Sequence, residues 1–201
     1  ASTGILLPML IIGDVFGVSY YNRHADWKYI LKLIPWAFAG IIIATAVGDK
    51  INEEQFNLMI AVIVIVGIGL LVLQDFVINT RKIPDYWWFA AFMGLAGGFT
   101  TMIGNAAGPI MMLYLLSMRL PKNKFIGTTA WFFFIVNVSK VPLHVIFWKT
   151  INLHTLTFNF LMLIPIFIGA ISGFHIVKLF PEKAYRIFIL ATALASAFLI
   201  I

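Results

Sequence analysis

The sequence GLAGGFTTMIGNAAGP, residues 94–109, interrupts an otherwise apolar region and decides how the chain can fold. It places five glycines within about four helical turns and ends at a proline. A glycine inside a helix costs roughly 0.5–1 kcal/mol relative to alanine, and a proline costs about 3 kcal/mol. This stretch therefore predicts a helix that breaks, with the polar side chains of Thr100, Thr101 and Asn105 close to the break.

Two interpretations account for these glycines. A broken helix at membrane depth is tolerated where it lines a cavity, and in transporters such breaks form the binding site. A row of small residues can also simply let two helices pack closely. Only the binding-site interpretation needs Asn105, so we expect Asn105, Thr101, Gly104 and Gly108 to bind substrate. A second half-helix beginning near Ala106 would point its N-terminus, and its free N–H groups, toward an anion.

The composition indicates a membrane protein. Hydrophobic residues make up 62% and charged residues 11% of the 201 positions, whereas soluble domains have about 45–50% and 25%. Without cysteine there is no disulfide and no thiolate chemistry. The net charge of +6 could suggest a nucleic-acid partner, but the basic residues lie between apolar runs. They are better interpreted as a signal of membrane topology than as a nucleic-acid-binding surface. We also expect no cofactor and no metal.

The apolar runs predict an all-α, polytopic transmembrane bundle. A helix needs about 20 largely apolar residues to cross a bilayer. Candidate spans are residues 3–21, 29–47, 56–78, 125–148, 156–175 and 184–201, and the broken region at 86–118 forms two shorter pieces. Because the connections are short, we expect one transmembrane domain over residues 1–201.

The basic residues predict the orientation. Most of the 14 lysines and arginines fall in alternate connections, which the positive-inside rule assigns to the cytoplasm. We therefore expect a multi-pass protein of the inner or plasma membrane, with all of the basic loops on its cytoplasmic side. The predicted cytoplasmic loops are residues 22–28, 79–85, 119–124 and 178–183.

Two halves of the chain resemble each other. Leu33-Ile34-Pro35 in one span matches Leu163-Ile164-Pro165 in another, and a charged turn follows each span. Because the matching spans would cross in opposite directions, we predict an inverted-topology repeat of residues 1–80 and 81–201 with a broken or re-entrant helix pair. Nothing equivalent to the broken region precedes the first span. We therefore expect the first half to lack an N-terminal hairpin that lies outside this chain.

Lys140 lies inside a predicted span, where a lysine at the bilayer centre costs about 2.5–3.5 kcal/mol. It could contact an anionic substrate, pair with Asp14, or extend toward a lipid head group. Asp14 lies midway along the first span and could instead carry a coupling proton. Asn137 lies one turn before Lys140 on the same face and could join the site. The hydroxyl of Thr128 could add a donor, or could bond within its own helix.

Several motifs, in this order, resemble those of the TauE/SafE family of membrane transporters. The motifs are the STG-x3-P opening at residues 2–8 with Asp14, the RHADW turn at 23–27, Pro35, G-x2-T-x3-G-N-A-x-G-P at 97–109, Tyr114, KF-x-GT at 124–128, and N-x2-K at 137–140. The resemblance covers nearly the whole chain. It implies transport of a small anion such as sulfite, a sulfonate or a sulfur-containing carboxylate.

These observations predict a transporter that moves a small anion by alternating access, with the two repeats moving about a site near Asn105 and Lys140. The expected partners are the anion, the lipid bilayer and a coupling ion, either a proton or sodium. An anion channel and a membrane assembly scaffold are the alternatives. An intramembrane enzyme is disfavoured, because Asp14 is the only acid well inside a span and no HExxH motif occurs. His144 and His175 are interpreted as packed or interfacial histidines.

Overall fold

A computed structural model describes residues 2–52, 54–63, 65, 86–151 and 153–200. In this part of the chain every regular element is a helix, which confirms the all-α prediction. The α-helices are α1 (Ser2–Tyr21), α2 (Trp27–Val47), α3 (Glu54–Ile63), α4 (Trp87–Gly104), α5 (Gly108–Ser117), α6 (Lys122–Ile146), α7 (Leu153–Leu161), α8 (Leu163–Leu179) and α9 (Glu182–Ile200). Most of the predicted span at 56–78, and the loop at 79–85, lie outside the described residues.

Three of the described helices are long and apolar enough to cross a membrane, namely Thr3–His24, Trp27–Val47 and Lys122–Ile146. They correspond to the first, second and fourth predicted spans. Their outer surfaces carry large apolar side chains, such as Leu31 and Ile42, which are 64% and 67% exposed. Apolar surface of this kind favours contact with lipid. The chain is therefore embedded in a membrane.

The chain forms two compact units, each assembled from two separate segments. The first unit comprises Ala1–Ile30 and Lys122–Glu182, and the second comprises Leu31–Pro121 and Lys183–Ile201. Each unit takes residues from both predicted halves of the sequence. The single domain, the inverted repeat and the re-entrant arrangement all stay predictions.

In the first unit, α1 packs along α6. Gly17 faces the Cβ of Ala130 in the middle of the pair, and Gly127 lies against the backbone of Tyr21 and His24 at one end. The pairing therefore runs antiparallel, and the glycines bring the two backbones close.

Helices α7 and α8 also contact α1 in the first unit. The rings of Phe16 and Phe167 meet at a centroid distance of 5.6 Å, and Tyr20 stacks on Phe174 at 4.4 Å. The predicted span at 156–175 is interrupted at Met162, where α7 gives way to α8. Pro165 explains the new start, because a proline is tolerated in the first turn of a helix but breaks hydrogen bonds in its interior.

In the second unit, α2 and α4 approach closely through glycines. A Cβ on Gly98 would overlap the carbonyl oxygen of Ala37, and one on Gly40 would overlap the carbonyl oxygen of Leu95. A Cβ on Gly94 would lie 2.8 Å from the carbonyl oxygen of Leu33. Part of the glycine-rich stretch therefore does serve as a seam between helices, which is the packing interpretation.

The helix breaks at the other end of the same stretch. Helix α4 ends at Gly104, and Asn105 adopts a left-handed conformation with φ of 53°. The backbone N–H of Asn105 donates a hydrogen bond of 3.1 Å to the carbonyl oxygen of Thr101, and that of Ala106 donates one of 3.3 Å to the carbonyl oxygen of Thr100. Asparagine tolerates this conformation better than most residues, because its short side chain can bond locally. Helix α5 then begins at Gly108 with a proline in its first turn.

Candidate functional site

Helix α6 carries a row of buried polar side chains inside a candidate span. Asn137, Lys140 and His144 recur at helical spacing and therefore share one face. Asn137 is 3% exposed, and Lys140 and His144 are both 0% exposed. Polar and ionisable side chains inside a bilayer are costly, so they usually face protein or a wet cavity and mark a functional site.

Asp14 on α1 meets this row. The Nδ2 of Asn137 donates a hydrogen bond of 2.7 Å to the Oδ2 of Asp14. Asp14 and Lys140 also interact electrostatically, and the carboxyl group is only partly buried. The structure thus brings together three of the residues that the sequence nominates. With no exposed surface, Lys140 offers no ammonium group to a lipid head group, which was the third sequence-based alternative.

Asn137 retains unused bonding capacity. Its Oδ1 is buried and has no hydrogen-bond partner among the described residues. A buried polar atom without a partner costs about 1–3 kcal/mol. An acceptor left open beside a carboxylate and an ammonium group can receive a bond from a water, a bound solute or a rearranged side chain.

Thr128 lies near the other end of α6 and has a structural partner. Its Oγ1 accepts a hydrogen bond of 2.9 Å from the backbone N–H of Asp26, in the loop that follows α1. The loop is also joined to α6 by an ion pair of 3.4 Å between Lys124 and Asp26. The hydroxyl is fully buried, so this bond helps to fix the loop against α6. Its role in substrate binding stays a prediction.

The other threonines mostly bond within their own helices. The hydroxyl of Thr100 donates to the carbonyl of Ala96 at 2.9 Å, and that of Thr129 donates to the carbonyl of Phe125 at 2.8 Å. Thr101 is buried in α4, and its carbonyl oxygen accepts a hydrogen bond from the backbone N–H of Asn105 at the break. Back-bonding of this kind was the alternative to a binding role.

The break between α4 and α5 holds the remaining predicted residues in the second unit. Gly104 lies directly against the ring of Phe56, and a side chain there would overlap it. A Cβ on Gly108 would meet no atom of the described residues within 4 Å. The start of α5 is therefore open at Gly108, although the same helix is buried farther along. Helix starts of this kind present backbone N–H groups and the positive end of the dipole.

His144, which the sequence analysis interprets as a packed or interfacial histidine, is indeed packed and fully buried. Its Nδ1 lies 2.7 Å from the Oγ1 of Thr150, and its ring meets Trp148 edge-on at a centroid distance of 5.2 Å. It lies one turn beyond Lys140, with which it interacts electrostatically. The place of His144 beside Lys140 could be predicted from the spacing, because positions 137, 140 and 144 share one helical face.

The described residues contain no group of three or more histidines, cysteines, aspartates or glutamates that could hold a metal ion. The fold and the cluster of Asp14 on α1 with Asn137, Lys140 and His144 on α6 define the class of protein. The chain is a polytopic helical membrane protein with ionisable groups buried inside a spanning helix.

The family is defined by comparison with known proteins. The chain belongs to the sulfite exporter TauE/SafE family, and the match covers residues 1–200. It is therefore a membrane transporter of the sulfite-exporter type, as the motif resemblance predicted. No curated protein and no solved structure matches the chain.

Proposed function

We propose that this protein moves a small anion across the cell membrane by alternating access, and that the anion is a sulfur oxyanion or an organosulfonate. The observation that carries the proposal is Lys140. A fully buried lysine in a spanning helix supplies the fixed positive charge that a transported anion needs. Family membership supports the class of substrate.

The neighbours of Lys140 suggest how an anion binds and leaves. In this structure the charge of Lys140 is balanced by Asp14, which Asn137 in turn holds by a hydrogen bond. An anion would take over Lys140, and the Asp14 carboxylate would then need another cation, which is the role of a coupling proton or sodium ion. The balanced pair lowers the cost of burial when no anion is bound, because a buried charge needs a partner.

A second set of anion-binding groups is proposed at the helix break in the second unit. It consists of Asn105, the backbone at Gly104 and Gly108, and Thr101. The open start of α5 supports this proposal, because the first turn of a helix binds anions through backbone N–H groups and the dipole. This second set is tested separately from Lys140, by the Gly108→Leu variant.

The proposal is tested by measuring the thermal stability of the purified protein in detergent against a panel of anions. The panel is sulfite, thiosulfate, sulfoacetate, taurine, sulfate, acetate and phosphate. A ligand at 100 times its Kd stabilises a protein by about 2.7 kcal/mol, which is readily detected. We expect a selective shift that disappears in Lys140→Ala. Lys149→Ala is the matched control, because that lysine lies just beyond the end of α6 and is exposed.

A flat panel with well-folded protein would contradict an anion transporter and favour a scaffold. A channel is separated from a transporter by counterflow in liposomes. A transporter exchanges labelled anion against an excess of unlabelled anion, whereas a channel passes the anion at high flux without counterflow.

A further inference from the structure

His144 is the buried ionisable group that the proposed function leaves unused. It shares a face of α6 with Asn137 and Lys140, and none of its surface is exposed. A histidine inside a spanning segment is uncommon, and where it occurs it often belongs to a proton relay. Histidine suits that role because its imidazole ring can both bind and release a proton.

The bonding of the ring is asymmetric. Nδ1 is 2.7 Å from the Oγ1 of Thr150, which follows the end of α6 and is only half-buried. Nε2 is buried and has no hydrogen-bond partner within the part of the chain that the structure describes. A neutral imidazole has one N–H donor and one acceptor nitrogen. One side of the ring is therefore connected to a hydroxyl at the end of the span, and the other side is left open.

Charged groups continue from His144 into the middle of the span. Lys140, on the same helix, interacts electrostatically with His144, and Asp14, on α1, interacts with Lys140. Trp148 and Thr150 also contact the ring and do not titrate in the physiological range, and the amino group at the start of the chain adds a second positive charge near it. The order along α6 is therefore hydroxyl, imidazole, ammonium and then the carboxylate that Asn137 holds.

We propose that His144 binds the proton that is coupled to anion movement, and that it passes this proton to Asp14 when an anion occupies Lys140. The inference rests on the proposed function, because it needs an anion at Lys140. Binding of the anion takes the ammonium group away from Asp14 and leaves an unbalanced carboxylate inside the span. Transfer from the imidazolium ion breaks one N–H bond, forms one O–H bond on Asp14 and leaves both groups neutral.

Asp14 releases the proton when the anion leaves and Lys140 becomes free to interact with the carboxylate again, so one proton accompanies each anion. Proton uptake from the Thr150 end would restore the imidazolium ion after each transfer. The residue pattern thus selects a proton rather than sodium as the coupling ion. A proton bound to Asp14, unlike a sodium ion, needs no cage of oxygen ligands.

The test uses the full chain in liposomes that enclose a pH-sensitive dye. The probes are thiosulfate and isethionate, one sulfur oxyanion and one organosulfonate, because both stay ionised near neutral pH and cannot themselves carry protons. Labelled-anion counterflow is measured in liposomes loaded with unlabelled anion, and the change in internal pH is measured during net uptake into liposomes that contain no anion. We expect both signals in the wild-type protein.

His144→Asn is the decisive variant, because asparagine can keep a hydrogen bond to Thr150 but cannot bind a proton. We expect the number of protons moved per anion to fall toward the level of protein-free liposomes, and counterflow to slow because Asp14 is left charged when the anion binds. His175→Asn is the matched control. That histidine is exposed on α8, and its Nδ1 lies 2.9 Å from the carbonyl of Ile171, so both signals should be unchanged.

The outcomes separate the two proposals. If neither probe shows counterflow in the wild-type protein, the proposed function fails. If net anion uptake by the wild-type protein occurs without a pH change, or if His144→Asn keeps the wild-type number of protons per anion, the role of His144 is overturned. Should His144→Asn not fold, Thr150→Val decides. A lower number of protons per anion in this variant supports the relay, and an unchanged number overturns it.

Discussion

Asn137 and Asp14 lie 123 positions apart in the sequence, yet the amide of one donates a 2.7 Å hydrogen bond to the carboxylate of the other. The bond joins α6 to α1 inside the first unit. It also fixes the carboxylate that balances Lys140. The pair is therefore expected to stabilise the fold as well as to serve transport.

Asn137→Ala tests the structural part of that expectation. A hydrogen bond to a charged group contributes about 1.5–3 kcal/mol, so the free energy of unfolding should fall by about that amount. The measurement is equilibrium unfolding in mixed detergent micelles. Asn123→Ala is the control, because Asn123 is exposed near the start of α6 and should change stability by less than about 0.5 kcal/mol.

The double variant Asp14→Ala/Asn137→Ala tests whether the two side chains act as a pair. Residues in direct contact show coupling energies of about 0.5–3 kcal/mol. We expect the double variant to be less destabilised than the sum of the single variants. Additive effects would show that the bond contributes nothing measurable to stability.

The sequence was sufficient to predict that residues 94–109 break a helix, because glycine and proline act locally through backbone preferences. It was not sufficient to divide the glycines between packing and function. That division depends on what lies opposite each one, and only the fold shows that Gly98 faces Ala37 whereas Gly108 faces open space among the described residues. The same limit applies to His144, whose spacing was visible but whose hydrogen bond to Thr150 was not.

Gly98→Ala tests the packing seam. A methyl group there would overlap the carbonyl oxygen of Ala37, so α2 and α4 would have to separate. Overpacking of this kind usually costs about 1–3 kcal/mol. We expect a lower free energy of unfolding and a lower yield of folded protein. Normal stability in this variant would show that the two helices can move apart without cost.

Gly108→Leu tests the helix break. The added side chain has room at its Cβ within the described structure, so the protein should still fold. It would, however, cover the first turn of α5 and its N–H groups, and we expect anion flux in liposomes to be blocked. Gly169→Leu is the control, because Gly169 on α8 is equally open among the described residues and belongs to no predicted site. Normal flux through Gly108→Leu would favour a packing role at the break.

The orientation of α6 is tested with two single cysteines, since the natural sequence contains none. Asn123 and Lys149 lie near opposite ends of α6, and both are exposed. The positive-inside rule assigns the connection at residues 119–124 to the cytoplasm and thus places Lys149 outside. A membrane-impermeant thiol reagent added to intact cells should therefore label Lys149→Cys and spare Asn123→Cys until the cells are opened. The reverse labelling pattern would invert the proposed topology, and with it the side of the membrane from which the proposed relay takes up its proton at Thr150.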